Sequence, residues 1–78
     1  MRDPQPPRLT LRAAQERVRR QWPGRHATAD VWRTYHLRAA ELYSIAAESD
    51  PGHAHEAAYA AQCEREAARE IETSSGST

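Results

Sequence analysis

Histidine and cysteine are the residue types of this chain that could bind a metal ion or supply a nucleophile. Two of the four histidines, His53 and His55, are separated by a single residue. Residues two apart on a regular helix point to nearly opposite sides, so this pair could share a metal ion only if the first helical turn were irregular. We therefore expect exposed or turn-capping histidines.

A second group of possible ligands forms if the segments before and after residues 50–52 pair as antiparallel helices. His36 lies 14 residues before this turn, roughly 20 Å along a helix, which places it near Cys63 and Glu64. These three side chains could bind zinc, but a fourth ligand and a standard ligand spacing are missing. The sequence therefore predicts no metal site and no cofactor, with a metal-binding helical protein as a remote alternative.

Catalysis would require Cys63 as the nucleophile and His36 as its base. A cysteine on an alanine-rich helical face is more often buried and inert than reactive. The carboxylates of the same segment are typical of a solvated face, and a short helical chain encloses little volume for a cleft. We therefore predict no catalytic residues and no enzyme.

Charge is distributed unevenly along a chain whose formal net charge is zero. Residues 1–40 carry nine arginines against three acids, a balance of +6, whereas residues 41–78 carry two arginines against eight acids, a balance of −6. The basic centre of the first predicted helix consists of Arg12, Arg17, Arg19 and Arg20. The acidic centre of the third consists of Glu56, Glu64, Glu66, Glu70 and Glu72.

This asymmetry has three competing interpretations. The basic and acidic helices could face each other across the rims of one bundle, where exposed ion pairs contribute only about 0–1 kcal/mol each. The charges could instead steer association with a protein partner or a second copy. Thirdly, the arginines of the first helix could contact nucleic-acid phosphates. This third interpretation is the weakest, since the acidic half would repel the same polyanion and no DNA-reading motif is present.

Composition limits the core that this chain can form. Half of its 30 hydrophobic residues are alanine, while Leu, Ile and Val together number eight and Phe is absent. A domain of 78 residues buries only about 60% of the surface that its unfolded chain exposes. Because alanine is the strongest helix former, we expect an all-α domain with a thin core that self-association or a partner completes.

Residue usage also bears on source and compartment. All eleven basic residues are arginine, and Lys, Asn and Phe are absent, a bias typical of a high-GC bacterial genome. One cysteine excludes an internal disulfide framework. No apolar run approaches the roughly 18 residues of a membrane span, and the first residues lack the apolar segment of a signal peptide. We therefore expect a cytoplasmic protein without a membrane partner.

Helix signals predict a small three-helix bundle in which a short basic helix packs beside a long antiparallel helical hairpin. Thr10 is the predicted N-cap of the first helix, over Leu11–Gln21, and Pro23-Gly24 ends it. Before it, the proline-rich residues 1–9 are expected to be a flexible arm. A single helical domain would then span residues 10–72.

The hairpin has equally clear signals at its turn. Thr28 or Asp30 caps the second helix, and Asp-Pro-Gly ends it. The third helix is predicted over Pro51–Glu72, with Asp50 as its N-cap and proline at its first position. Residues 73–78, rich in Ser and Thr, are expected to be a flexible tail.

Helical periodicity assigns one apolar stripe to each helix. In the first helix the stripe contains Leu11, Ala14, Val18 and Trp22. In the second it contains Val31, Trp32, Tyr35, Ala39, Leu42, Tyr43 and Ala46. In the third it contains Ala54, Ala57, Ala58, Ala61, Ala68 and Ile71. Leu37 and Ile45 lie off the edge of the second stripe, so the second helix is expected to be covered on two sides.

Two segments of the hairpin carry a resemblance. They are residues 35–43, Tyr-His-Leu-Arg-Ala-Ala-Glu-Leu-Tyr, and residues 50–59, Asp-Pro-Gly-His-Ala-His-Glu-Ala-Ala-Tyr. The chain resembles a group of small helical proteins from actinobacteria over roughly residues 28–71. This resemblance agrees with the inferred codon bias. Because the group has no known activity, it implies no functional residue.

The sequence favours a non-catalytic protein-interaction or regulatory module that self-associates or docks on a protein partner. Aromatic residues on a thin core suit a binding hot spot, and the candidate contacts are Tyr35, Leu42, Tyr43, Ile45 and Tyr59. The competing interpretation is that all five are core, and it is the favoured one for the aromatics on the main stripe. Ile45, which lies off that stripe, is the best interface candidate. The alternative is a nucleic-acid-binding accessory protein whose phosphate contacts are Arg12, Arg17, Arg19 and Arg20.

Overall fold

The computed structural model describes residues 8–76, which form three α-helices and no strand. Helix α1 spans Leu11–Arg20, α2 spans Ala29–Ser49 and α3 spans Ala54–Gly76, with one turn of 3₁₀-helix at Pro51–His53. This architecture confirms the predicted small all-α bundle. None of the described helices is both long enough and apolar enough to cross a membrane.

The starts of α1 and α2 are set by local hydroxyl caps. The Thr10 hydroxyl accepts a hydrogen bond from the amide of Ala13 at 3.1 Å, as predicted. Of the two candidate caps of α2, Thr28 holds the N-cap position and accepts from the amide of Val31 at 3.4 Å, whereas Asp30 lies in the first turn. Each cap pairs one of the amides that a helix start leaves without a partner.

Two domain boundaries differ from those predicted. Leu9, assigned to the flexible arm, is 4% exposed and belongs to the core. Helix α3 continues to Gly76, beyond the predicted end at Glu72. Ser and Thr lower helix propensity only slightly, so they do not stop a helix that is already formed. The remainder of the predicted arm and tail, residues 1–7 and 77–78, lies outside the described residues.

Helix α1 lies antiparallel on α2 and covers only part of its length. Near its start, Leu11 packs with Ala46 of α2 and Ala57 of α3. Near its end, Val18 packs with Tyr35, in the first half of α2. Ten helical residues span about 15 Å, roughly half the length of α2. The first turns of α2 therefore extend beyond the cover that α1 provides.

Two partly buried residues of α2, Leu42 and Tyr43, pack against both halves of this core. The buried residues of α3 are all alanines, at positions 57, 61 and 68. The distance between packed helix axes depends on the side chains at the contact, so alanine allows α3 to approach α2 closely. The core is therefore as thin as composition predicts.

Some of the predicted orientations are wrong. Ala58 is exposed, because it lies one residue, or about 100° around the helix, from buried Ala57. Val31 is 48% exposed, because α1 ends before it can cover the first turns of α2. Leu37 and Ile45 are also exposed, so the two covered sides of α2 are those that face α1 and α3.

Asp50 connects the hairpin turn to the start of α1. Predicted to cap the third helix, it makes no side-chain cap hydrogen bond there. Its carboxylate instead accepts a hydrogen bond from the Leu11 amide at 3.0 Å and lies 3.0 Å from Nδ1 of His53. The Leu11 amide is an unpaired donor of a helix start, whereas Pro51 has no N–H to offer. The Leu11 hydrogen bond lowers the pKa of the Asp50 carboxyl below its ordinary value.

Replacing Ala57 by leucine should destabilise the fold by about 1–3 kcal/mol, because Ala57 is 0% exposed and the added carbons must push packed elements apart. The matched control is Ala58→Leu, since Ala58 is exposed and its substitution should change stability by less than about 0.5 kcal/mol. Urea unfolding followed by circular dichroism measures both changes. Equal destabilisation by the two substitutions would contradict this orientation of α3.

Replacing Asp50 by asparagine should reduce the acid sensitivity of the fold. Because folding lowers the pKa of this carboxyl, its bond to Leu11 stabilises the fold above the ordinary pKa and is lost as pH falls through the lowered value. Asparagine also accepts a hydrogen bond but does not titrate. Melting temperatures between about pH 6 and pH 2 should therefore fall more steeply for the wild type than for Asp50→Asn.

The control for this acid titration is Asp50→Ala, which removes the acceptor. This variant should melt below the wild type at neutral pH and approach it as the carboxylate is protonated. If all three proteins lost stability in parallel as pH falls, the bond between Asp50 and Leu11 would not contribute to stability.

Candidate protein-docking surface

The five predicted protein contacts occupy two different environments. Tyr35 is 9% exposed, and Leu42 and Tyr43 are partly buried between the two halves of the core. Ile45 is 37% exposed and Tyr59 is 70% exposed. The first three therefore hold the bundle together, while Ile45 and Tyr59 are accessible to a partner.

A groove of about 440 Å³ lies between the end of α1 and the first half of α2. We call it the α1–α2 groove. Its apolar lining comes from Pro23, Val31 and Tyr35, and Asp30 and Arg38 lie at its polar rim. The lining residues of α2, at positions 30, 31, 34, 35 and 38, follow helical spacing, so they share one face of that helix. Val31, near the start of this face, lies beyond the end of α1, whereas Tyr35 also packs against Val18 of α1.

Trp22 lies beside the α1–α2 groove and is 62% exposed. Its ring meets Trp32 edge-on with centroids 4.8 Å apart, and it meets Tyr35 edge-on at 6.0 Å. Such pairs contribute roughly 0.5–1.5 kcal/mol beyond area burial, so the indole is held in place along one edge while the rest of its surface meets solvent. Trp22 is predicted to lie on the apolar stripe of α1, and its exposure corrects that prediction. The signal against that placement was Pro23, which ends the helical periodicity one residue later.

The bond between His36 and Glu64 confirms the predicted register of the hairpin. Nδ1 of His36 lies 2.6 Å from Oε1 of Glu64, and both side chains are 20% exposed. The imidazole also stacks on Trp32, with centroids 5.9 Å apart. Burial, and secondarily the Glu64 carboxylate, raises the pKa of both Tyr35 and Tyr43. Through His36 and Glu64, the contacting rings of Trp32, Tyr35 and His36 are therefore attached to α3.

The zinc-ligand trio considered from the sequence is not assembled. In the described part of the chain, no three His, Cys, Asp or Glu side chains converge to hold a metal ion. Cys63 is exposed, which corrects the expectation that it is buried. It lies two positions after buried Ala61, and residues two apart do not share a helix face. A hydrogen bond with Cys63 raises the pKa of Tyr59. In the hairpin turn, Nδ1 of His53 lies 3.0 Å from the Asp50 carboxylate.

The arginines of α1 lie on the surface and outside the internal ion pairs. Arg12, Arg17, Arg19 and Arg20 are all exposed. Between residues 8 and 76, the ion pairs connect α2 to α3 or lie within the hairpin turn, and none includes an arginine of α1. The structure thus gives no support to internal pairing of the basic and acidic helices, and the charge asymmetry is presented to solvent.

Comparison of this chain with models of protein families, with curated proteins and with solved structures found no match. A functional assignment therefore depends on the surfaces of the molecule itself. The surface that combines concavity, exposed aromatic area and charge is the α1–α2 groove with Trp22 at its side.

Proposed function

We propose that this protein is a non-catalytic docking module that binds a protein partner, either another protein or a second copy, through the α1–α2 groove and Trp22. One observation carries the proposal: large apolar side chains are kept at the surface of a domain whose core is largely alanine. The exposed ones are Trp22, Val31, Leu37, Ile45 and Tyr59. Of these, Val31 lines the α1–α2 groove and Trp22 lies beside it, so a partner docked there would add to the apolar burial that the thin core provides.

The groove has the features of a binding hot spot. Hot spots are enriched in tryptophan and tyrosine and lie in pockets that a partner can desolvate. Here Trp22 stands beside a concave surface formed by Pro23, Val31 and Tyr35. The shape and composition of this surface therefore support docking of an apolar side chain.

The charge around the groove indicates an acidic partner segment. Arg38 lies at its rim. Gln21, at the end of α1, also lines the groove, and Arg17 lies four residues before it on the same side of that helix. Asp30 is the opposing acid at the rim. Complementary charges of this kind accelerate encounter and select the orientation of the partner more than they add affinity.

The dispersal of the residues suited to catalysis supports a non-catalytic role. Cys63 is exposed, on a different side of α3 from the buried alanines that pack against α2. His36, in contrast, is paired with Glu64 between α2 and α3. A cysteine nucleophile requires a base within hydrogen-bond reach, and the imidazole is already engaged elsewhere. His36 therefore fixes the register of the hairpin, and Cys63 is left on the surface.

A photo-crosslinking amino acid in place of Val31 should form a covalent adduct with a protein in cells of the source organism, because position 31 faces the docked partner. The matched control is the same amino acid in place of Leu37, which is similarly exposed on another side of α2. Mass spectrometry identifies the adducts. Adducts of equal yield from both positions, or none from position 31, would contradict docking at the groove.

Nucleic-acid binding is the second candidate function, favoured by the four exposed arginines of α1. None of them pairs with a carboxylate within the described residues. Helical spacing places Arg12 and Arg19 on one flank of α1 and Arg17 on another, so they do not form one continuous track. The acidic α3 of the same small body also opposes a polyanion, and we therefore rank this function second.

If this second function holds, the protein should shift duplex DNA at low salt, and replacing Arg12, Arg19 and Arg20 by glutamine should abolish the shift. Each phosphate contact contributes a slope of about −0.9 in the dependence of log affinity on log salt, so three contacts predict a slope near −3. Val31→Asp should leave this affinity nearly unchanged, which separates it from protein docking. The absence of a shift at low salt would eliminate nucleic-acid binding.

A further inference from the structure

We propose that the occupant of the α1–α2 groove is the outer face of α3 from a second copy of the chain, with Tyr59 as the anchoring side chain. This inference rests on the proposed function, because it names the partner of the same docking surface. The observations that support it are the exposure, the charge and the helical spacing of the residues on both surfaces.

The outer face of α3 is an amphipathic stripe that the fold leaves uncovered. Tyr59, Cys63, Glu66 and Glu70 follow one another at spacings of four, three and four residues, and all four are exposed. This spacing places them on a single helix face. The buried alanines of α3 occupy the opposite side. We call these four residues the α3 stripe.

Tyr59 is the natural anchor of the α3 stripe. At 70% it is the most exposed of the large apolar side chains. A tyrosine removes roughly 150–250 Å² from solvent when buried and loses little conformational freedom in doing so. The groove offers an apolar lining of Pro23, Val31 and Tyr35 to receive it.

Charge and spacing match along the two helices. Arg38 lies seven residues after Val31 on α2, and Glu66 lies seven residues after Tyr59 on α3. Seven helical residues span roughly 10.5 Å in each case. If the stripe of a second copy lies along α2 in the same direction, Tyr59 reaches the lining at Val31 while Glu66 reaches Arg38. Arg17 of α1 flanks the same end of the groove.

One molecule cannot make this contact with itself. The groove is formed by α1 and α2, whereas Tyr59, Cys63 and Glu66 lie opposite the buried alanines of α3. Glu70, further along the stripe, borders a cleft that Ala29 and His36 of α2 also line. Each copy therefore offers its groove to one neighbour and its stripe to another. Such a heterologous contact closes into a ring or continues as an open chain. Assembly beyond a dimer is the expected consequence.

The test uses two variants that each remove one side of the contact. Val31→Asp places a charge in the groove, and the double variant Tyr59→Ala, Glu66→Arg removes the anchor and reverses the charge of the stripe. Each variant alone should be monomeric under conditions in which the wild type assembles, with association weakened by at least about thirtyfold. Sedimentation equilibrium at several concentrations measures this, and circular dichroism checks that each variant is folded.

The decisive sample is an equimolar mixture of the two variants. Val31→Asp retains its stripe and the double variant retains its groove, so the mixture should form a dimer of one copy of each and nothing larger. Leu37→Asp, a matched control on another side of α2, should assemble like the wild type. A mixture that stays monomeric would overturn the assigned contact, as would a loss of assembly in Leu37→Asp.

A wild type that remains monomeric at every concentration would also overturn this inference, without deciding the proposed function. In that case, a crosslink from position 31 to a different protein would leave the docking module standing with another partner. A monomeric wild type with no crosslink at position 31 would refute both.

Discussion

Close packing of α2 against α3 through alanine is the constraint on which the rest of the molecule depends. Ala57, Ala61 and Ala68 are the buried residues of α3, and each buries far less apolar area than a leucine or phenylalanine would. Large apolar side chains cannot enter this seam without forcing the helices apart. They must lie under α1 or on the surface. The thin core and the exposed aromatic surface therefore have a single physical cause.

The α1–α2 groove arises from the difference in length between α1 and α2. The position of α1 on α2 is determined at its start by Leu11, whose side chain is in the core and whose amide donates a hydrogen bond to Asp50. Because α1 is only ten residues long, it ends before it covers the first turns of α2, and Pro23 then turns the chain away. Val31 and Trp22 are consequently left exposed beside a concave surface.

Local signals in the sequence were sufficient for the three helices, because caps such as Thr10 and Thr28 act within a few residues of the helix that they start. The antiparallel register was also predictable, since a short turn between long helices brings His36 opposite Glu64. The orientation of α3 was predictable in most respects, since Ala57, Ala61 and Ala68 are buried as expected. Ala58 was misplaced, because alanine occurs on several sides of the helix and dilutes the periodic signal. The bond of Asp50 to an amide 39 residues away depends on the tertiary fold, which local spacing does not encode. The groove depends in the same way on where α1 ends.

The segregation of charge distinguishes the two ways in which the arginines could be used. The carboxylates of an α3 stripe would meet Arg38 and Arg17, whereas the phosphates of a nucleic acid would meet chiefly Arg12, Arg19 and Arg20. The two kinds of binding would therefore use largely different arginines. Salt weakens both, since exposed charges are screened over about 8–10 Å at physiological ionic strength. Burial of Tyr59 in the groove would contribute a hydrophobic free energy of association, which salt does not screen. Association anchored by Tyr59 would therefore persist at salt concentrations that remove contacts made through arginine alone.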